Sequence, residues 1–278
     1  MLIRCWGARG SIAVDGEQYS KYGGNTTCME IRSGDDVFII DAGTGIRALG
    51  NHLRKNNDSK YHLFFTHVHW DHIIGFPFFK PLYSKNTKLV IYGCSFTGNS
   101  FQDVIAKTMV APYFPINIDG LSTSISYESP CMQPFKFGSL TVTSIPLSHP
   151  NQGLGYCFNE NGKRFVFLTD NELQYPHPGR ASYEEYLEFC KGADLLIHDA
   201  EYLPEEYPSR RNWGHSSVTD ALELAIKAGV KRFGLFHLNQ ERSDNDVDEM
   251  VDMCQKNIKK QKLSLECYAI GTGFEITL

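Results

Sequence analysis

Short apolar runs separated by turn residues recur along this chain. VFIIDAG (37–43), YHLFFT (61–66), LVIYG (89–93), LTVTSIPL (140–147), RFVFLTD (164–170), DLLIHDA (194–200) and RFGLFHL (232–238) are rich in β-branched and aromatic residues, which predicts strands. Asn161-Gly162, between two such runs, is a hairpin turn signal. Helical spacing follows several strands, over 44–55, 182–190 and 218–228. In the last, Ser217 and Asp220 form a capping pattern, Val218, Ala221, Leu222, Ala225 and Ala228 line one apolar stripe, and Gly229 supplies the stop. The alternation predicts an α/β fold with mixed sheets. With no internal repeat or linker composition, residues 1–278 are expected to form one domain, with the turn-rich segment at about 94–138 as an insertion or lid.

Composition narrows the function classes. The 278 residues carry 27 Lys+Arg and 32 Asp+Glu, a formal charge of −5, with 42% hydrophobic and 21% charged residues. That is the profile of a soluble globular protein, and its acidity argues against affinity built on neutralising many phosphates. No apolar stretch reaches the roughly 20 residues that span a bilayer, nor does the start resemble a signal peptide, so a cytoplasmic location and no membrane partner are expected. Eight cysteines occur without a CxxC pair, mostly inside apolar runs, and are expected to be reduced core thiols.

Ten histidines change the picture. In FFTHVHWDHIIGFPFF a strand ends at Thr66 and is followed by His67, His69, Asp71 and His72. A chance His-x-His-x-Asp-His would arise in about one such sequence in a thousand. Two imidazoles two residues apart in extended chain face one side and can clamp a cation, while Asp71 and His72 reach a second position. Further ligands are then required, and they stand at the ends of predicted strands: His149, Asp170 and His237. Strand ends on one edge of a layered α/β fold converge in space. The His/Asp mixture suits two divalent ions, zinc first, with manganese or iron as alternatives.

These motifs, with Asp41 in DAGTG, the THVHWDH cluster, SHP at 149, TD at 170 and FH at 237, resemble those of the metallo-β-lactamase superfamily over nearly the whole chain. The resemblance implies a four-layer αββα sandwich with two mixed sheets and a dinuclear metal site. It assigns His67, His69 and His149 to one metal and Asp71, His72 and His237 to the other, with Asp170 bridging. Asp41 would orient a ligand histidine from behind.

LLIHDAEY, with Asp199, and WGHSS, with His215, are similar to stretches of the phosphodiesterase branch that contains ribonuclease Z and cyclic-nucleotide phosphodiesterases. Ribonuclease Z has Glu at the Asp199 position, paired with the histidine matching His215. The resemblance implies hydrolysis by metal-activated hydroxide, with Asp71 taking a proton from the water and His215, polarised by Asp199, acting as general acid. Asp is one methylene shorter than Glu, which leaves phosphate binding by His215 as the alternative. Arg210, Arg211 and Ser216 flank His215 as candidate substrate contacts, the arginine pair reading equally as a solvated loop. Phe76, Phe78, Phe79, Tyr113 and Phe114 are read as packing, or for one of them as a base-stacking surface.

Ribonuclease Z of bacterial type carries a long arm between the residues matching His149 and Asp170, where this chain has only the twenty residues 150–169. Spacing and charge together predict a small phosphodiester such as a cyclic nucleotide. Large nucleic acid is then the less favoured partner and transfer-RNA 3′ processing the alternative. A thioesterase or lactonase and a non-catalytic metal-binding module are further alternatives. The resemblance also implies a homodimer.

Overall fold

A computed structural model describes residues 1–53, 60–94, 100–129 and 131–278. The chain runs β1 (Leu2–Gly7), β2 (Cys28–Ser33), β3 (Asp36–Ile40), α1 (Ile46–Leu53), β4 (Lys60–Phe64), α2 (Trp70–Ile73), β5 (Lys88–Tyr92), α3 (Phe101–Lys107) and β6 (Ser124–Glu128). It continues through β7 (Phe135–Phe137), β8 (Leu140–Pro146), β9 (Leu154–Glu160), β10 (Lys163–Leu168), α4 (Tyr183–Cys190), β11 (Leu195–Asp199), α5 (Tyr207–Arg210), α6 (Val218–Lys227), β12 (Arg232–Phe236), α7 (Asp244–Lys260), β13 (Glu266–Ala269) and β14 (Glu275–Thr277).

Two seven-stranded sheets result, in the orders β14-β1-β2-β3-β4-β5-β6 and β13-β12-β11-β10-β9-β8-β7. Each is mixed. In the first, β1 to β3 and β14 pair antiparallel and β3 to β6 parallel. In the second, β7 to β10 pair antiparallel and β10 to β13 parallel. Three apolar cores separate four layers. Phe38, Phe64, Phe158, Phe165, Ile197 and Phe236 fill the space between the sheets. Ile39, Leu63 and Ile91 pack outward against Ile46, Leu49 and Phe76, and Val166, Leu196 and Leu235 pack against Tyr186, Leu222 and Met250. Inner strands with both faces buried explain why their sequences read as continuous apolar runs rather than alternations. The αββα sandwich is the expected architecture.

All seven predicted strands form, shorter by a residue or more at their carboxyl ends, where, for all but β5, the chain turns to carry residues into or beside the site. Asn161 (φ 51°) and Gly162 (φ 77°) close the β9–β10 hairpin with Glu160 opposite Lys163, as the turn signal predicts. Ser182 and Ser217 cap α4 and α6 through their side-chain oxygens. The helix expected over 44–55 starts at Ile46, and its residues 54 and 55 lie outside the described residues. The segment at 94–138, expected to be a lid or insertion, contributes an edge strand to each sheet, β6 and β7; its residues 95–99 and 130 lie outside the described ones.

One expectation is corrected. The cysteines are not all reduced thiols: Cys94 and Cys131 form a disulfide, their Cα atoms 5.7 Å apart, while six others are free and buried. Thirty-seven residues separate the pair, and only the return of the chain along β6 brings them together. Among the described residues no helix is long and apolar enough to cross a membrane.

Candidate metal centre

Strand ends from both sheets meet at one edge. From the first sheet come Asp41 after β3 and His67, His69, Asp71 and His72 after β4. From the second come His149 after β8, Asp170 after β10, Asp199 at the end of β11 and His237 after β12. The backbone is strained where it delivers them: Asp41, Asp170 and His237 have φ of 61°, 54° and 54°. Side chains other than glycine rarely adopt that region, at a cost of about 1–3 kcal/mol each, and such residues gather at functional sites.

Among the described residues, ligand-type atoms fall into four overlapping groups: His215 shares one with His149 and Asp170 and another with Glu201 and His237, and the remaining two hold the expected ligands. His67, His69 and His149 make one, and Asp71, His72, Asp170 and His237 the other, the atoms of each lying within 4.8 Å of one another. Asp170 reaches both. Its Oδ1 lies 3.6 Å from His67 Nε2, 3.7 Å from His149 Nε2 and 3.3 Å from His237 Nε2, and its Oδ2 lies 3.3 Å from His72 Nε2. The fit to two cations is tested by what is unsatisfied. His67 Nε2 and His72 Nε2 are buried without a hydrogen-bond partner, a costly arrangement for polar nitrogen. Both point into the cluster, as ligating nitrogens would.

Every histidine of the cluster except His69 also has its far nitrogen tied to a partner, His67 Nδ1 lying 3.0 Å from the Thr66 hydroxyl. His72 Nδ1 donates to Asp41 Oδ2 at 2.7 Å, and the same carboxylate accepts from the Thr66 amide and hydroxyl. His149 Nδ1 donates to the Gly214 carbonyl at 2.9 Å, and His237 Nδ1 to Glu201 Oε2 at 2.8 Å. Such partners fix the tautomer that leaves the other nitrogen free for a metal. Asp41 thus lies against the far nitrogen of His72.

Burial sets the charge states. It drives the imidazoles of His67, His69 and His149 below their ordinary range, into the neutral form that ligates. For His72 and His237 burial acts the same way but is overcome by the carboxylates, chiefly Asp71 and Asp170, which raise both well above it. In turn, burial would raise Asp71 and Asp170, yet the imidazoles hold both well below the usual carboxylate range.

His215 lies beside this cluster. Its Nδ1 is 3.0 Å from Asp199 Oδ2, so the shorter side chain does reach, and 3.4 Å from Glu201 Oε2. Burial lowers the imidazole, but Glu201 and Asp199 outweigh it and push it up to about 9. Asp199 is held from behind by the amides of Asn171 and Glu201.

Several participants carry no motif. Glu172, fully buried, accepts from the Tyr207 hydroxyl, the Asn212 and Gly214 amides and His177 Nε2, each at 2.8 Å, and so pins the loop that presents both the Gly214 carbonyl and His215. Glu201 serves His237 as described. The WGARGS stretch lines the centre: a Cβ on Gly10 would sit 2.2 Å from His237 Nδ1, and the Ser11 amide donates to Asp71 Oδ2 at 2.9 Å. Gly214 is equally confined, since a Cβ there would sit 2.0 Å from His149 Nδ1. A small residue beside a histidine-bearing stretch is the only trace of this in the sequence.

Of the candidate substrate contacts, Ser216 has another task. Its hydroxyl is buried, donating to the Asn171 carbonyl at 2.6 Å and accepting from the Leu173 amide at 3.1 Å. Arg210 and Arg211 are exposed, lying over the rings of Trp213 (4.8 Å) and Tyr175 (5.5 Å). Phe76 and Phe79 are core residues, whereas Phe78 is exposed with Phe114 edge-on at 5.8 Å, and Tyr113 is exposed.

Residues 37–238 match the family described as Beta-lactamase superfamily domain. Ribonuclease Z of Thermococcus kodakarensis is 26% identical over a 275-residue alignment that covers 83% of this chain and 84% of that protein. The metallo-beta-lactamase fold protein YhfI from Bacillus subtilis has the same fold, with a TM-score of 0.72 at 20% identity over 99% of this chain and 98% of that one. A diphosphatase from the PhnP family gives 0.69 at 16% identity over 100% and 97%. The family match spans well over half of the residues and takes in the whole of the centre from Asp41 to His237, so the chain belongs to the metallo-β-lactamase superfamily.

Proposed function

We propose that the protein hydrolyses a phosphodiester bond of RNA in the manner of ribonuclease Z, with two divalent ions in the centre. The observation that carries diester hydrolysis is His215, clamped by Asp199 at 3.0 Å beside a cluster suited to two metals. His67, His69 and His149 would hold one ion and Asp71, His72 and His237 the other, with Asp170 within reach of both sets. Zinc suits the nitrogen and carboxylate set best, with manganese or iron as alternatives that metal analysis distinguishes. Two such ions supply the charge that activates water and stabilises the oxygens of an in-line displacement.

The chain's own groups handle the protons. The Asp71 carboxylate, held by the Ser11 amide, takes the proton of the attacking water. The His215 imidazole, kept protonated by Asp199 and Glu201, gives one to the departing alkoxide. Glu172 and the Gly214 carbonyl keep His215 and His149 in register.

RNA is placed ahead of the small diester that charge and spacing alone predict, because the curated relative that aligns with four fifths of this chain is a ribonuclease Z. A second reading, a small diester such as a cyclic nucleotide, is favoured by one feature: residues 150–169 form only the β9 strand and its two-residue turn into β10, with no arm. The test is turnover by purified, zinc-loaded protein of precursor transfer RNA, short RNA oligomers, 2′,3′- and 3′,5′-cyclic nucleotides and bis-p-nitrophenyl phosphate. Cleavage of RNA with the highest kcat/KM supports the first reading, turnover of cyclic nucleotides alone reverses the order, and no turnover of any diester sinks both. His215→Ala is expected to lose about 10²–10⁴ in kcat while keeping two ions per chain; equal activity would remove the general acid.

A further inference from the structure

The cluster meets solvent on one side. His69 is half-buried while the other ligand residues are buried, and the exposed Asn151 places its Nδ2 3.3 Å from His69 Nε2. His69 Nδ1 lies 3.0 Å from His149 Nε2, and His149 is tied through Nδ1 to the Gly214 carbonyl. Each end of this short chain of contacts adjoins a tryptophan. Trp70 follows His69 and is 65% exposed; Trp213 precedes Gly214 and is 56% exposed. Folding gains little from indoles left in water, and exposed tryptophans with arginine at a cleft are what binding surfaces use.

The Arg210 guanidinium sits 4.8 Å over the Trp213 ring, and neither Arg210 nor Arg211 forms an ion pair among the described residues. An aromatic face with an unneutralised cation on it suits a flat, apolar ring joined to an anion. A nucleobase with its phosphate has that chemistry, and stacking on an indole holds any base without reading its edges. A simple lactone offers neither part. On an otherwise acidic chain the two arginines also place positive charge within five residues of His215.

We infer that Trp213, with Arg210 laid over it, is a stacking platform for a nucleobase next to the scissile phosphate, and that Trp70, across the His69–His149 edge, serves a second base. This rests on the phosphodiester reading and names the part of the substrate that the metals do not hold.

The experiment compares kcat/KM of the zinc-loaded protein on an eight-residue oligoadenylate and on an eight-residue abasic ribose-phosphate chain. Wild type is expected to favour the oligoadenylate, and Trp213→Ala to shrink that preference by ~5- to 100-fold, mainly through KM. Trp213→Phe is expected to restore most of it. An unchanged preference in Trp213→Ala overturns the platform while leaving the hydrolase intact. Tryptophan fluorescence of the wild type, titrated with the oligoadenylate, separates the two claims. Quenching that Trp213→Ala removes, with no turnover of either chain, would sink the hydrolase and keep the platform. Absence of quenching, or quenching only by anionic phospholipid vesicles, overturns the platform.

Discussion

The Glu172 carboxylate is the single acceptor for four donors that come from three places in the chain. Replacing it by alanine strands the buried Gly214 amide and the His177 imidazole, each a loss of roughly 1–3 kcal/mol. Glu172→Ala is therefore expected to be about 2–5 kcal/mol less stable by urea denaturation, and slower by roughly tenfold or more, because the 212–215 loop carries both His215 and the carbonyl that orients His149. A variant with wild-type stability and rate would show that the loop holds itself. His62, remote from the centre, gives a different readout. Burial and then Lys60 push its imidazole from 6.5 down to about 4. The unfolded chain thus binds a proton that the folded chain refuses, so stability from this group is full above pH 6.5 and is lost as pH falls towards 4. Unfolding free energies of His62→Gln should decline less than those of wild type over that window; parallel curves would mean the proton is taken up elsewhere. The ligand motif residues were legible because they follow the carboxyl ends of apolar runs, where the chain has to leave the sheet. Glu172, Glu201 and Gly10 were not, since what gives them meaning lies 36 to 227 positions away: His237 for Gly10 and Glu201, and the 212–214 loop for Glu172.

Among the elements, the strands that lead into the centre and the helices α4 and α6 announce themselves, whereas the inner strands β1, β2 and β9 and the edges do not. Strands β6, β7, β13 and β14 are short or half-exposed, so their residues alternate weakly or over too few positions to register. Helix α7 leaves a faint signal in the sequence for another reason: only Val247, Met250, Cys254 and Ile258 are buried in a stretch otherwise dense with Asp, Glu and Lys, a stripe narrower than the usual apolar face. Its Ser243 and Asp246 capping box was nevertheless there to be seen. The same edges hold the disulfide. Cys94 follows β5 and Cys131 precedes β7, so the bond ties the crossover between the sheets back onto the first one. Thiol titration of the denatured, unreduced protein is expected to count six free thiols, and eight after reduction. Eight in both would mean that the pair stays open.

At the scale of the molecule, the centre lies on the seam between the two sheets, with His67 to His72 from one and His149, Asp170 and His237 from the other. Ions held there bind the folded chain and not the unfolded one, so protein stripped with a chelator should melt at least ~5 °C below protein with excess zinc. No shift, or fewer than two ions per chain by metal analysis, would contradict a dinuclear centre. The layout has one more consequence. Apart from β14, which returns to pair with β1, the first sheet is made wholly from residues before the β6–β7 crossover and the second wholly from residues after it. A chain cut in that crossover would give two fragments, each bringing one sheet and an incomplete set of ligands. Such fragments would form a split protein whose reassembly is governed by the concentration of the divalent ion that the ligands take.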